Sequence, residues 1–199
     1  MTWRAGLWAM LTVFLLAACQ RGGASATLDA SLWLKGQGGT RLEGAMLIRG
    51  GFAKVPLLAV ISVDDARNLE FVGVSDWGLT LARVCVSQGD SKPAPARLHP
   101  LLAHIPGIAS RLPQALERIF LLWPEPADAR QPDAPEVKYL FDPQTRRITG
   151  KKGHDAHGAW TVSLRYPKGA APDAKPSAIE YTGGGLAIVF KVNDVSGDE

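Results

Sequence analysis

GAWTVSLRYP, residues 158–167, shows the clearest alternation in the chain and indicates its fold class. Every second residue of it is aromatic or aliphatic, and the residues between them are small, polar or charged. Side chains of a β-strand point alternately to opposite faces, so this pattern predicts a strand with one buried face. The inward set is Trp160, Val162, Leu164 and Tyr166. Two further strands follow, at 176–182 and 185–194, and the second places Leu186, Ile188, Phe190 and Val192 on one side.

Upstream of this stretch, the chain alternates between strand-like segments and turn residues. We predict strands at 28–35, 41–50, 55–63, 68–74 and 79–87. The short connections at 64–67 and 75–78 are typical of hairpin loops, so neighbouring strands should pair antiparallel as a meander. A further hairpin is predicted from strands 137–142 and 146–151, joined by residues 143–145.

The centre of the chain has a helical pattern instead. Residues 98–107 predict a short helix with Pro100 in its first turn, closed by Pro106 and Gly107. After it, apolar residues recur at spacings of three and four from Ile108 to Trp123, which indicates an amphipathic helix. We expect this helix to run from Leu112 to Leu122 with Pro113 in its first turn, because a proline deeper in a helix removes a backbone hydrogen bond.

These elements predict a mainly β fold with central helices. A strongly curved antiparallel sheet of about ten strands would wrap around the helices and leave a concave apolar interior. The proline-rich segment 124–135 reads as a loop inside one domain rather than a linker, because the residues after it form only strands and lack a helix to cover them. The domain is therefore predicted to span 28–195, with 196–199 as a C-terminal tail.

The N-terminal 18 residues have the order of an export signal. A short start with one positive charge, Arg4, is followed by an uncharged run, residues 5–18, which is too short for an ordinary transmembrane helix. The run ends in Leu16-Ala17-Ala18-Cys19, which resembles a bacterial lipobox, so residues 1–18 are predicted to be a lipoprotein signal peptide and Cys19 the lipid anchor. Residues 19–27 would be the lipidated N-terminus and a tether. The alternative is an ordinary signal peptide, or a monotopic anchor, with an incidental cysteine.

The lipobox resemblance also has consequences for location. Gln20 follows the cysteine where an Asp would favour retention in the inner membrane, so we expect an outer-membrane protein that faces the periplasm of a Gram-negative bacterium. Several acyl chains, palmitate among them, would suffice to hold it there, since each buried methylene contributes about 0.8 kcal/mol.

Composition argues against a strongly charged partner. The chain of 199 residues has a formal charge of +3, which falls to +2 for the 181 residues left when Arg4 is removed with the signal. Its basic residues are scattered rather than gathered on one face, so no nucleic-acid partner is expected, and we expect a monomer. The densest group, Arg146-Arg147 with Lys151-Lys152, is predicted to be a charged, solvated strand or turn. With Cys19 acylated, Cys85 has no disulfide partner, so the hydrophobic core must supply the stability.

The sequence holds no motif that indicates catalysis, a metal or a cofactor. A Gly-x-Ser-x-Gly elbow and a phosphate-binding loop are both missing from it. HDAH (154–157) could offer metal ligands, but a solvated hairpin is the better interpretation. His99 and His104 are too far apart to share a helix face as ligands and suit capping or surface roles. TGGG (182–185) is predicted to be a turn whose glycines permit positive φ, and Cys85, among apolar strand residues, to be buried and inert.

The order of these elements resembles the LolA/LolB superfamily of periplasmic lipid and lipoprotein carriers. The final stretch carries most of the likeness: a strand that opens with Trp160, then Pro176 and an Ile179-containing strand, then a last alternating strand from Leu186 to Val192. Within the superfamily the chain is most similar to LolB-like outer-membrane lipoproteins encoded with aryl-polyene biosynthesis genes. LolB itself has a helix ahead of its first strand and an exposed apolar loop that delivers cargo, and we match neither in this sequence.

The resemblance implies a half-open β-barrel in which the concave face and a helical lid enclose a cavity for acyl chains. The candidate lining residues are Phe71, Leu79, Leu81, Trp160, Leu164, Ile188 and Phe190. The alternative is that these side chains form an ordinary dry core. The function implied is non-catalytic binding or transfer of an acyl chain, a lipoprotein or other apolar cargo. A cell-envelope assembly factor that acts through surface contacts is a second hypothesis, and a hydrolase with a scattered site is a third.

Overall fold

The computed structural model describes residues 40–64, 66–87, 96–123, 137–145, 147–171 and 174–193. Several sequence predictions lie outside these residues: the signal peptide, Cys19 and the tether at 19–27, the strand at 28–35, the proline-rich loop at 124–135 and the tail at 196–199.

The first half of the fold is an antiparallel meander of five strands. Their bounds are β1 Thr40–Gly50, β2 Ala53–Val63, β3 Asn68–Val74, β4 Thr80–Ser87 and β5 Arg97–Leu98. The first four agree with the predicted strands to within two residues. The two-residue strand β5 was not predicted, because it is too short to show alternation and exists only through its pairing with Ala82 and Arg83 of β4.

Two helical segments follow β5. A 3₁₀-helix spans Pro100–Leu102, with Pro100 in its first turn as predicted, and the His99 imidazole caps it by accepting from the Leu101 N–H. The helix α1 then spans Ile108–Phe120.

The predicted start of α1 at Leu112 was wrong by four residues. Gly107 adopts a φ of +66° immediately before the helix, a conformation that glycine takes without strain, and this lets the helix begin at Ile108. Pro113 is consequently the sixth helical residue instead of lying in the first turn.

The second half of the fold is a second antiparallel meander. Its strands are β6 Val137–Phe141, β7 Ile148–Asp155, β8 Gly158–Arg165, β9 Ala178–Gly183 and β10 Leu186–Val192. The predicted hairpin through 143–145 is present, and its turn is held by the Asp142 carboxylate, which accepts from the backbone N–H groups of Gln144 and Thr145 at 2.8 Å each.

Pairing of β1 with β10 joins the two meanders into one ten-stranded sheet with the order β5-β4-β3-β2-β1-β10-β9-β8-β7-β6. The sheet is curved and does not close, since β5 and β6 remain as its edges. The α-helix α1 packs against β4 on one flank and against β9 and β10 on the other. A flat sheet would not bring those strands to one helix, so the sheet must curl around α1.

The connections β1–β2, β3–β4, β7–β8 and β9–β10 all lie at the same end of the sheet. The register establishes this, because Gly50 pairs with both Ala53 and Leu186, and Gly183 pairs with Trp160. We refer to this end, defined by residues 51–52, 75–79, 156–157 and 184–185, as the turn end.

Candidate functional site

The inner face of the sheet contains six of the seven predicted lining residues. All six are buried in one continuous hydrophobic core: Phe71, Leu81, Trp160, Leu164, Ile188 and Phe190. The strand register places them on one face, since Leu164 and Phe190 both pair with Ile179 of β9. The predicted direction of these side chains is therefore confirmed, whereas their contact with a ligand stays a prediction.

Leu79 is the exception, because its side chain is 44% exposed and lies outside the core. A β-bulge causes the difference. Gly73 pairs with Ala82 and the next residue, Val74, pairs with Thr80, so one residue of β4 is inserted and the alternation changes there. Leu81 is buried together with Ala82, and Leu79 falls in the connection before the strand.

Helix α1 fills the concave side of the sheet. Its apolar stripe is buried against the inner face: Ile108, Leu112, Ala115, Leu116, Ile119 and Phe120. Helix and sheet therefore cover each other's apolar surfaces in this conformation. A cavity for an acyl chain between them stays a prediction.

An ion pair with a buried arginine joins the last turn of α1 to the sheet. Arg118 is 5% exposed, and its guanidinium donates to the Asp155 carboxylate and, at 2.5 Å, to the Tyr181 hydroxyl. The same guanidinium lies 5.7 Å from the centre of the Trp160 ring. Burial raises the pKa of Tyr181, so this phenol remains protonated through the physiological range.

A buried lysine contacts the C-terminal end of α1. Lys151 Nζ donates to the Leu122 carbonyl at 2.5 Å and lies 4.0 Å from the centre of the Trp123 ring. The prediction of a solvated cluster is wrong for Lys151, which is fully buried, because Leu122 and Trp123, the residues that follow α1, lie against it. Burial lowers the pKa of Lys151 well below its usual value.

A polar pocket of about 400 Å³ opens at the turn end. It lies between α1 and the connections β7–β8 and β9–β10. Its lining is mostly polar or glycine: Gly107, Ser110, Arg111, Gln114, Arg118, Ala156, His157, Tyr181, Gly183 and Gly184. Two motifs that the sequence indicated were plain turns, HDAH and TGGG, thus form two walls of one pocket. The turn assignment holds for the second half of each motif, residues 156–157 and 184–185, and φ is positive at Gly184 and Gly185. It was wrong for the first halves, because 154–155 belong to β7 and 182–183 to β9.

The turn end also carries two exposed aromatic side chains. Phe52, in the β1–β2 turn, is fully exposed, and Trp77, in the β3–β4 turn, is 92% exposed. The sequence predicts Trp77 to lie in a hairpin loop. Its exposure could have been predicted as well, since a tryptophan in a four-residue turn has no strand neighbour to cover it.

The remaining chemical candidates are not brought together. His99 caps the 3₁₀-helix, while His104 and His154 are exposed. Within the described ranges, no three His, Cys, Asp or Glu side chains are close enough to hold a metal ion. The same part of the chain contains no helix that is long and apolar enough to cross a membrane.

The prediction that Cys85 is buried was wrong, because its side chain is exposed. Val84 and Val86 take the inner face of β4, and the alternation of the strand turns Cys85 outward.

Comparison with known proteins identifies the fold. No family model and no curated protein sequence matches this chain. A LolA superfamily protein from Nitrosomonas europaea, known from its crystal structure, is similar with a TM-score of 0.51 and 10% sequence identity, over 86% of this chain and 91% of that chain. A domain from Vibrio parahaemolyticus with an inferred role in outer membrane lipoprotein sorting has a TM-score of 0.45 and 9% identity, over 87% and 92% of the two chains. At such identity the first likeness establishes the fold alone, and it confirms the curved, unclosed sheet around a helix.

Proposed function

We propose that this protein is a periplasmic lipoprotein, anchored in the outer membrane through Cys19, that binds or transfers lipidated or other apolar cargo without catalysis. The observation that carries the proposal is the amphipathic helix α1 seated in the concave face of a LolA-like sheet. Both surfaces of that contact are apolar, so displacement of α1 would present a continuous apolar face to an acyl chain. Burial of the chain would stabilise the complex by roughly 25 cal/mol per Å².

The domain boundaries and the closer kinship belong to the same proposal. Residues 1–18 would be removed, residues 19–27 would tether a single domain of residues 28–195, and LolB-like lipoproteins encoded beside aryl-polyene genes would be its nearest kin.

The exposed rings of Phe52 and Trp77 would touch the membrane when cargo is delivered. Replacing both with serine is then expected to slow transfer to vesicles without lowering the melting temperature, and an unchanged transfer rate would reject this role.

The cargo site is tested by native mass spectrometry of the protein from Arg21 onward, followed by organic extraction. We expect a stoichiometric apolar adduct, or uptake of a fluorescent fatty acid by the stripped protein. Leu164→Asn places an amide on the inner face and should reduce uptake. Leu58→Asn makes the same change at an exposed position of β2 and should not. Circular dichroism of both variants checks that they fold. A mass equal to that of the protein alone, together with no fatty-acid uptake, would contradict the carrier hypothesis.

The anchor is tested separately by growth with labelled palmitate. The wild-type protein should incorporate the label and stay with the outer membrane, whereas Cys19→Ser should lose both properties. Label that persists in the variant would show that acylation occurs elsewhere.

A second candidate function follows from the filled interior. If α1 never leaves the sheet, the protein is a rigid body whose exposed Phe52 and Trp77 are available for protein contacts. An envelope assembly factor of that kind would take up no fatty acid, so the same experiment separates the two functions.

A further inference from the structure

The polar pocket at the turn end has a shape and a charge that the proposed apolar site does not use. Its volume of about 400 Å³ is within the usual range for ligand pockets, about 300–1,000 Å³. It is open to solvent on one side and reaches the core on the other, because the Tyr181 ring is buried in the core while Tyr181 also lines the pocket.

Glycines keep this pocket open. A Cβ on Gly183 would lie 2.6 Å from both the Trp160 Cβ and the Tyr181 hydroxyl oxygen. The next two residues, Gly184 and Gly185, have φ values of +57° and +76°, which side chains rarely adopt. Residues 183–185 therefore form a wall of glycines, because packing excludes a side chain at the first and backbone conformation disfavours one at the other two. A bound group can approach the backbone of this wall closely.

The charges of the pocket do not cancel. Both oxygens of the Asp155 carboxylate are engaged, one by the Arg118 guanidinium and the other by the His157 backbone N–H at 2.8 Å. Arg111 contributes a second guanidinium, which donates to the Pro106 carbonyl at 3.0 Å and forms no ion pair with any described residue. One positive charge in the pocket thus has no carboxylate partner in the part of the chain that the structure describes.

The pocket also offers several hydrogen-bond donors to a ligand. The Tyr181 hydroxyl accepts from Arg118, which leaves its own proton to donate. The Gln114 amide nitrogen lies 3.0 Å from His157 Nε2, and with the amide donating, the other ring nitrogen of His157 carries a proton. Four of the five N–H groups of Arg111 have no protein partner among the described residues.

We propose that this pocket binds a phosphate group, and that it holds the anionic head of an amphiphile whose chain enters the apolar interior. The first part stands on the pocket alone, and the second part rests on the proposed function. Phosphate suits the site because its several oxygens can accept from donors on α1, on the β7–β8 connection and on β9 together, and a guanidinium fork matches two of them. The Tyr181 side chain marks the path from the pocket to the core.

The test uses the full chain in uncharged detergent micelles and follows its thermal unfolding and its histidine side-chain NMR signals. Three ligands are added at constant ionic strength: inorganic phosphate, hexyl phosphate and hexanol. A ligand that binds the native state raises the melting temperature in proportion to its affinity and concentration. We expect phosphate to stabilise the wild-type protein and to shift a His157 signal, and hexyl phosphate to bind more tightly than phosphate.

Two pocket variants and one control complete the design. Arg111→Gln removes the unpaired charge and should weaken phosphate binding about tenfold or more. Ser110→Asp places a carboxylate at the pocket in the first turn of α1, where an acidic residue favours the helix, so the variant should fold and still lose phosphate binding. Arg49→Gln makes the same charge change on the exposed face of β1 and should bind as the wild type does.

Each outcome decides one of the two hypotheses. Equal phosphate effects on all variants, or none on any, overturn the pocket. If hexanol and hexyl phosphate bind the wild type and Arg111→Gln equally well, the pocket inference fails while the carrier function stands. If phosphate binding depends on Arg111 but the hexyl chain adds nothing, the pocket is a site for free phosphate and the second part of the proposal is overturned, while the carrier function is decided by the fatty-acid experiment.

Discussion

At the scale of single residues, the most informative contact is the ion pair between Arg118 and Asp155. Removing one partner of a buried pair leaves the other charge unpaired in a poorly solvated place, whereas an exposed pair contributes little. Asp155→Asn is therefore expected to lower the free energy of unfolding by roughly 2 to 4 kcal/mol. The measurement is urea unfolding at neutral pH.

The Arg165–Glu180 pair provides the matched control. It joins an exposed arginine of β8 to a carboxylate of β9 at 2.7 Å. Glu180→Gln removes the same charge as Asp155→Asn but should cost less than about 1 kcal/mol. Equal losses in both variants would show that burial is not what makes the Arg118 pair matter.

Lys151 makes the stability depend on pH in a predictable direction. Burial lowers the pKa of Lys151 in the folded protein, while the unfolded chain has the ordinary value of about 10.4. Between those two pKa values the unfolded state binds more protons than the native state, so stability rises as pH rises and is lost as pH falls. Urea unfolding between pH 7 and about 9.5, below the titration of tyrosine, should show this rise.

Replacement of two neighbouring lysines tests the assignment. Lys151→Met should abolish most of the rise in the free energy of unfolding with pH. Lys152→Met, one residue along β7 and exposed, should keep it. A rise that survives in Lys151→Met would mean that another group titrates.

At the scale of elements, α1 contains a residue that weakens it. Pro113 cannot donate to the Ala109 carbonyl, and a proline inside a helix costs about 3 kcal/mol relative to alanine. The change to alanine also removes two buried methylenes, which costs about 1.6 kcal/mol of stability. It makes the unfolded chain more flexible, which costs about 0.4–1 kcal/mol more. Pro113→Ala is therefore expected to stabilise the protein by about 0.5–1 kcal/mol, measured by thermal or urea unfolding.

Pro100 is the matched control for this change. It occupies the first position of the 3₁₀-helix, where a missing N–H costs nothing. Pro100→Ala should leave stability unchanged or lower it slightly. A loss of stability in Pro113→Ala would show that the buried proline ring matters more to packing than the missing hydrogen bond does to the helix.

Prediction of the elements succeeded where the pattern was local and failed where it was not. The alternation in β8 and β10 gave their inward faces correctly, because the period of two is a property of the strand itself. The helix start was missed because it depends on the conformation of Gly107. Strand β5 was missed because its two residues form a strand only through their pairing with β4. Cys85 and Leu79 were misplaced for a similar reason: the bulge in β4 determines which face each residue takes.

At the scale of the whole molecule, the sheet and its helix differ in how firmly they are held. Strands β1 and β10 lie in the middle of the sheet and pair on both sides, whereas α1 is held by its apolar face and by side-chain ties such as Arg118. We expect amide hydrogen exchange to be slowest in β1 and β10 and faster in α1. Addition of a long-chain fatty acid should raise exchange in α1 and leave β1 and β10 unchanged.

The opposite result would decide against the carrier function. If α1 exchanges only as fast as the central strands and does not respond to fatty acid, the helix is a permanent part of the core. The assembly-factor hypothesis would then be the better description of the molecule.

Local sequence patterns were enough to predict nine of the ten strands of the sheet, most of the residues that they direct inward, and the amphipathic helix that covers them. These properties are carried by side chains two, three or four residues apart, so they can be read along the chain. Three features became visible only in the folded protein: β1 pairs with β10, Lys151 is buried, and the HDAH and TGGG segments meet α1 to form a polar pocket. Those features depend on residues far apart in sequence, and their positions follow from how the sheet curls around its helix.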